Sequence, residues 1–425
     1  MTLFTFLALS LVTQLAAGQT PGNTTEVHPK LDTFRCTVLG GCRKHTNYIV
    51  VESSQHPIHQ ATNNFDCGSF GNSPNITACP DAASCAKNCA IEGISDYTVR
   101  GISTSGTELL SPGVYLLEEN QEKYELLHLT GSELTFDVEM SKLPCGMNNA
   151  LYLSEMLQDG GQNPSPLSKA GPYYGTGYCD AQCFVTPFIN GVGNIGGLGS
   201  CCNELDIWEA NSRATRIAPH TCNQTGLYQC IGAECGGTGV CNKPGCGWNP
   251  NRVNNTNCYR RGDTFEVDTT RKFTVVSQFV SDKSGYLKEL HRHYVQDNEI
   301  IQSAVVNITG PPKINFLNNE YCAETGASEF RGMVLVMSLC WDETGYMNWL
   351  DQGNNGPCNA TEGSPTSILK AEPNPEVTFS NIRIGEINST FSLSLPYPRD
   401  SLSGSVRREA HRHRHLHQHG YLHGS

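Results

Sequence analysis

An all-β sandwich is the fold this sequence predicts, and three observations predict it. Strand-like segments recur along the chain, their connections are rich in Gly and Asn, and helical periodicity is scarce. Residues 114–117 and 124–129 are apolar runs flanking a polar turn, which reads as a hairpin. Leu134, Phe136, Val138 and Met140 alternate with polar residues, as a half-buried strand does. Phe273, Val275, Val276 and Phe279 mark a further strand. Residues 333–339 form a continuous apolar run, the pattern of a strand buried on both faces. Residues 377–384 close the series. The best helix is short, residues 81–90, stopped by Gly93.

Residues 1–18 read as a secretory signal peptide. The apolar run from Leu3 to Leu15 is too short to span a membrane, and Ala16-Ala17-Gly18 supplies small residues for cleavage. The usual basic n-region is absent. Twenty cysteines fit an oxidising, extracellular compartment. Cys85/Cys89, Cys179/Cys183 and Cys241/Cys246 lack the matching His or Cys pairs of a structural zinc site, so neither a metal nor any other cofactor is expected. Sequons at Asn23, Asn75, Asn223, Asn254, Asn307, Asn359 and Asn388 fit a secreted glycoprotein. The net charge of −12 argues against nucleic-acid and anionic-membrane partners and suits a neutral substrate.

Residues 19–390 read as one domain, with no internal linker or repeat and with cysteines spread from Cys36 to Cys358. Residues 190–200 are glycine-rich, but no Lys-Ser/Thr follows, so a flexible loop is expected rather than a phosphate cradle. Residues 391–425 change character. They carry Arg399, Arg407, Arg408, Arg412 and Arg414 and alternating histidines from His411 to His419. A disordered tail is expected there, with histidine metal binding as the alternative.

The chemistry concentrates in Cys201-Cys202-Asn203-Glu204-Leu205-Asp206-Ile207-Trp208-Glu209-Ala210-Asn211. On a plain strand Glu204, Asp206 and Trp208 share one face and Glu209 points to the other. A single bulge between Asp206 and Glu209 would return Glu209 to the first face. Two carboxyls leaning together there would approach the roughly 5 Å separation of a retaining glycosidase. The acids alone leave a solvated strand face as an equal reading.

This stretch resembles the active-site strand of glycoside hydrolase family 7, the fungal and protist cellulases. Tyr174-Gly-Thr-Gly-Tyr-Cys-Asp-Ala-Gln-Cys183, Ala218-Pro-His-Thr-Cys222, Cys246-Gly-Trp-Asn-Pro250, Gly332-Met-Val-Leu-Val-Met-Ser-Leu339, Tyr346-Met-Asn-Trp-Leu-Asp351 and Val377-Thr-Phe-Ser-Asn-Ile382 resemble that family in its order. The resemblance spans roughly residues 25–390. It implies a concanavalin-like jelly roll: two large, curved antiparallel sheets with long loops, a few short helices and a sugar cleft.

By resemblance Glu204 is the nucleophile, Glu209 the acid/base and Asp206 the acid that hydrogen-bonds Glu204 and sets its protonation. His220 matches a histidine near the leaving-group side. Trp349 matches a product-side stacking platform, and Asn148, Tyr152, Tyr178, Asp180, Gln182 and Arg252 fall at positions that bind or border the glucan. The same resemblance pairs Cys36–Cys42, Cys67–Cys89, Cys79–Cys85, Cys145–Cys358, Cys179–Cys202, Cys183–Cys201, Cys222–Cys241, Cys230–Cys235 and Cys246–Cys322. Cys258 and Cys340 are left over, and an even count in an oxidising compartment predicts that they pair with each other. Two departures stand out. Pro57-Ile58-His59 lacks the tryptophan the family often carries there, and Cys340 stands where relatives tend to have one. The tail, without cysteine, does not resemble a cellulose-binding module.

The resemblance implies a secreted, monomeric endo-β-1,4-glucanase acting on cellulose or related β-glucan by retaining double displacement. Short connections at residues 236–240 and between Trp349 and Cys358 suggest an open cleft. The alternatives are a processive cellobiohydrolase of the same family and a non-catalytic, glucan-binding lectin.

Overall fold

The computed structural model describes residues 19–95, 97, 113–163, 168–237, 239–307, 332–342 and 344–391. The signal segment, the Arg/His-rich tail and Cys322 lie outside them. Among the described residues thirteen strands form one large sheet: β1 (Lys30–Thr37), β2 (Gly41–Val51), β3 (Gly113–Leu117), β4 (Leu126–Leu127), β5 (Ser132–Glu139), β6 (Met147–Ser154), β7 (Glu204–Ala210), β8 (Thr215–His220), β9 (Phe273–Ser281), β10 (Leu287–Gln296), β11 (Glu299–Asn307), β12 (Met333–Trp341) and β13 (Thr378–Glu386). Their order is β8-β7-β6-β12-β3-β2-β1-β13-β5-β9-β10-β11, with β4 also pairing β12. All of these pairings are antiparallel except β1–β13, which is parallel.

Alternating side chains explain how this sheet makes a sandwich. From one half, Leu151, Leu205, Ile207, Trp208, Leu335 and Met337 point inward. From the other come Phe136, Val138, Phe273, Val275, Phe279 and Leu290, and all belong to one core cluster. The halves therefore pack face to face. Trp208 is fully buried between them, with the rings of Phe136, Tyr259, Phe273 and Tyr294 at 6.0–6.2 Å in edge-on contacts. The opposite face of the first half carries a second cluster, including Val50, Tyr115, Leu117, Tyr152, Val334 and Val336.

The expected strands at 114–117, 134–140, 273–279, 333–339 and 377–384 are β3, β5, β9, β12 and β13 within a few residues. The expected hairpin partner at 124–129 shrinks to β4 and a bridge from Tyr124 to Leu117. The short helix spans Ala82–Asn88, where the Asp81 side chain caps it by accepting from Ser84 N at 2.8 Å.

Eight disulfides join Cys36–Cys42, Cys67–Cys89, Cys79–Cys85, Cys145–Cys358, Cys179–Cys202, Cys183–Cys201, Cys222–Cys241 and Cys230–Cys235. Cys246 is also disulfide-bonded; its expected partner, Cys322, lies outside the described residues. The expected Cys258–Cys340 bridge is not formed, and both thiols are free. The sheet itself separates them. Cys258 belongs to the core cluster shared by Met337 and Leu339 of β12. Cys340 alternates with those residues and faces the other side, its Sγ 3.2 Å from Ser338 Oγ. Burial holds each thiol at about 12, so both stay protonated.

Candidate active site

β7 is buried at all seven positions and lies between β6 and β8. Opposite β8, Asp206 faces Ala218 but Glu209 faces Arg216. Opposite β6, Asp206 faces Tyr152 and Trp208 faces Leu151. Ile207 is the extra residue of a β-bulge. The strand thus sends Leu205, Ile207, Trp208 and Ala210 into the core, two of them consecutive, and turns Glu204, Asp206 and Glu209 to the opposite face.

Each carboxyl has a distinct holder. Glu204 Oε2 accepts from Ala181 N at 3.1 Å. That amide is aimed by Cys179–Cys202 and Cys183–Cys201, which tie its loop to the two residues just before Asn203. Glu209 Oε1 accepts from Asn148 Nδ2 at 3.1 Å, while Asn148 Oδ1 accepts from Ala210 N at 3.0 Å. Glu209 Oε2 is buried without a hydrogen bond, 3.9 Å from Arg216 Nε. That oxygen keeps its hydrogen-bonding capacity unused.

Asp206 Oδ2 lies 3.0 Å from His220 Nε2, and His220 Nδ1 lies 3.0 Å from the Asn242 carbonyl. A carbonyl only accepts, so Nδ1 carries the proton. Burial, then the Arg216 charge, pushes His220 down to about 4, which leaves it neutral. Burial and the neighbouring Glu209 raise Asp206 well above the carboxylate range. Both shifts favour the neutral pair, in which Asp206 donates to Nε2. Glu204 is raised by burial and then by Asp206 and Asp180, against the Ala181 N–H. A neutral Asp206 removes one of those like charges and favours an ionised Glu204.

Tyr152 and Tyr178 place their hydroxyls 2.9 Å apart, and Tyr178 donates to Asp180 Oδ2 at 2.9 Å. Burial pushes Asp180 up to about 6. Trp349 is 36% exposed, and the guanidinium of Arg216 stacks 5.4 Å from its ring centre. Arg252 bonds Asn355 Oδ1, and Gln182 donates to the Lys243 carbonyl at 3.0 Å. These last two border the region.

Sequence reasoning missed three contributors. Arg216 links Glu209 to Trp349, but in sequence it is an isolated arginine. Ala181 acts through its backbone, which no residue type advertises. Glu52 follows β2, and its N–H bonds the Gly113 carbonyl at 3.0 Å. Glu209, Ala150, Ser338 and Gly113 lie in one register row, so small side chains floor the sheet between the two acids. Only the alternation through Val50 hints at Glu52.

A sandwich with a buried carboxyl pair, phenols and an exposed indole on one face defines a polysaccharide-cleaving hydrolase. The chain belongs to glycosyl hydrolase family 7, whose sequence profile matches residues 21–391. An endoglucanase type C of Fusarium oxysporum is 62% identical over 416 residues, 92% of this chain and 97% of that one. Endoglucanase EG-1 of Humicola insolens is 54% identical, covering 90% and 94%. Among solved structures, an endoglucanase I complexed with cellobiose aligns with TM-score 0.80 at 62% identity, covering 88% of this chain and all of that one. A family 7 cellobiohydrolase of Daphnia pulex aligns with TM-score 0.78 at 32% identity and the same coverage.

Proposed function

We propose that this chain is a secreted endo-β-1,4-glucanase that cleaves internal bonds of cellulose or related β-glucan with retention of configuration. The observation that carries the reading is the bulge at Ile207, which gives Glu204 and Glu209 a common face with different holders. Glu204, fixed by a backbone N–H, attacks the anomeric carbon and forms a glycosyl ester. Glu209, with one oxygen free, gives its proton to the departing glycosidic oxygen. It then takes a proton from the water that cleaves the ester. Asp206 donates to His220 and relieves the charge beside Glu204. Trp349 offers an apolar face for a sugar ring, and Tyr152, Tyr178, Asp180, Asn148, Gln182 and Arg252 supply polar contacts around it. Residues 1–18 direct secretion, and the sequon asparagines Asn23, Asn75, Asn223, Asn254, Asn359 and Asn388 are exposed for glycosylation.

The endo mode is favoured over the cellobiohydrolase reading because the two endoglucanases are 54–62% identical, against 32% for the cellobiohydrolase. In a test on a soluble cellulose derivative, viscosity falls fast relative to reducing ends released. Cellobiose as nearly the sole product, with slow viscosity loss, would favour the exo-acting enzyme. Proton NMR of the first product shows the β-anomer; an initial α-anomer would sink the double displacement. Hydrolysis that survives Glu204→Gln would remove the nucleophile assignment.

A further inference from the structure

A β-bulge leaves its extra residue outside the ladder, so the peptide groups there need other partners. At Ile207 that partner comes from the opposite half of the sandwich. Arg292, on β10, is fully buried. It crosses the core and donates through Nη2 to the Ile207 carbonyl. Its Nε meets Ser277 Oγ at 3.3 Å. The guanidinium lies 5.5 Å from the Trp208 ring and 5.8 Å from the Tyr294 ring. Among the described residues no carboxylate pairs with it, and Nη1 has no hydrogen-bond partner. Burial lowers its basicity, as expected for a charge out of water.

A guanidinium in an apolar core without a counter-ion is expensive, and a leucine would fill such a site at less cost. The group makes sense if the bulge is what it serves. On the first half its hydrogen bond falls on Ile207 and its cation-π contact on Trp208. These are the residues whose consecutive inward turn puts Glu209 on the face of Glu204.

We infer that Arg292 is a positioning residue for the reaction: it holds the Ile207 carbonyl, fixes the bulge and so keeps Glu209 aimed at the leaving oxygen. The inference rests on the reading of Glu209 as acid/base. A register relaxed toward a regular strand would swing Glu209 away and leave Glu204 in place, because Glu204 is held from the other side by Ala181 N.

Leaving-group dependence tests this. Protonation matters for a poor leaving group, such as the sugar of cellotetraose, and hardly at all for dinitrophenolate. Arg292→Met lowers kcat/KM on cellotetraose at least tenfold and changes kcat/KM on a dinitrophenyl β-cellobioside less than threefold. Ser277→Ala frees Arg292 Nε without opening the core and shows the same selectivity, about threefold. Equal losses on both substrates, or no loss on either, in folded Ser277→Ala would overturn the inference whether or not Arg292→Met folds. Glu209→Gln runs in parallel. If it lacks the selectivity, the acid/base reading fails first. If it shows the selectivity and the Arg292 and Ser277 variants do not, only the role of Arg292 fails.

Discussion

Glu52→Gln should make the protein more stable at alkaline pH and leave it unchanged in acid. Burial raises the Glu52 carboxyl to about 7, with only weak help for the charged form from Gln55 at 3.3 Å and Tyr115 at 3.5 Å. A raised carboxyl keeps its proton in the native state while the unfolded chain releases its own at about 4.5. Stability from this group is therefore intact below pH 4.5 and is lost as pH rises to about 7. The shift of roughly 2.5 units corresponds to about 3 kcal/mol. The side chain keeps some solvent contact, which discounts the figure to about 2 kcal/mol. Unfolding entropy near 2.1 cal/mol/K per residue over roughly 370 residues gives about 0.8 kcal/mol/K, so the gain is about 3 °C. Calorimetry of both proteins at pH 4 and pH 8, disulfides intact, reads the double difference, in which the other acids cancel. An offset that is the same at both pH values, or a lower midpoint for Glu52→Gln at pH 8, would refute the reasoning.

Glu204→Gln and Glu209→Gln should each cost cellulose hydrolysis at least a thousandfold in kcat with the fold retained, read by circular dichroism and steady-state kinetics. Asp206→Asn should cost less, because an amide still donates to His220 Nε2 across 3.0 Å. Asn148→Ala leaves both Glu209 Oε1 and Ala210 N without their partners, and should destabilise by about 1–3 kcal/mol in denaturant unfolding. Alkylation with mass spectrometry should find two thiols, Cys258 and Cys340, reactive after denaturation and slow in the native protein, since burial keeps both protonated. A native disulfide between them would contradict the faces on which they lie.

The bulge was legible in the sequence because it breaks a period. Acids at positions 204, 206 and 209 with apolar residues at 205, 207, 208 and 210 fit no regular strand, and one extra residue reconciles them. The local strands β3, β5, β9 and β13 were readable for the converse reason, unbroken alternation or a clean apolar run. β6 was not: Asn148 and Asn149 dilute its apolar pattern, since both faces of that strand make specific polar bonds. Backbone partners such as Ala181 N and Asn242 O carry no signature in residue type. Arg292 hides in His-Arg-His-Tyr, which reads as a wet edge although Arg292 and Tyr294 are fully buried. The cysteine argument failed because parity counts residues and takes no account of which side of a sheet each one faces.

The parallel pairing of β1 with β13 has a consequence for how the chain is made. β13 lies between β1 and β5, so the last strand synthesised joins the first strand to the fourth long one. Until it emerges, the two halves of the sandwich share no hydrogen-bonded seam there. Cys145 must likewise wait for Cys358, 213 residues later. The early bridges Cys36–Cys42, Cys67–Cys89 and Cys79–Cys85 can close during translocation, but the sheet that carries Glu204 is completed only once residues 378–386 have emerged. A release delayed by a stalling sequence placed before residue 378 should therefore accumulate a protease-sensitive, inactive chain with its amino-terminal disulfides already formed.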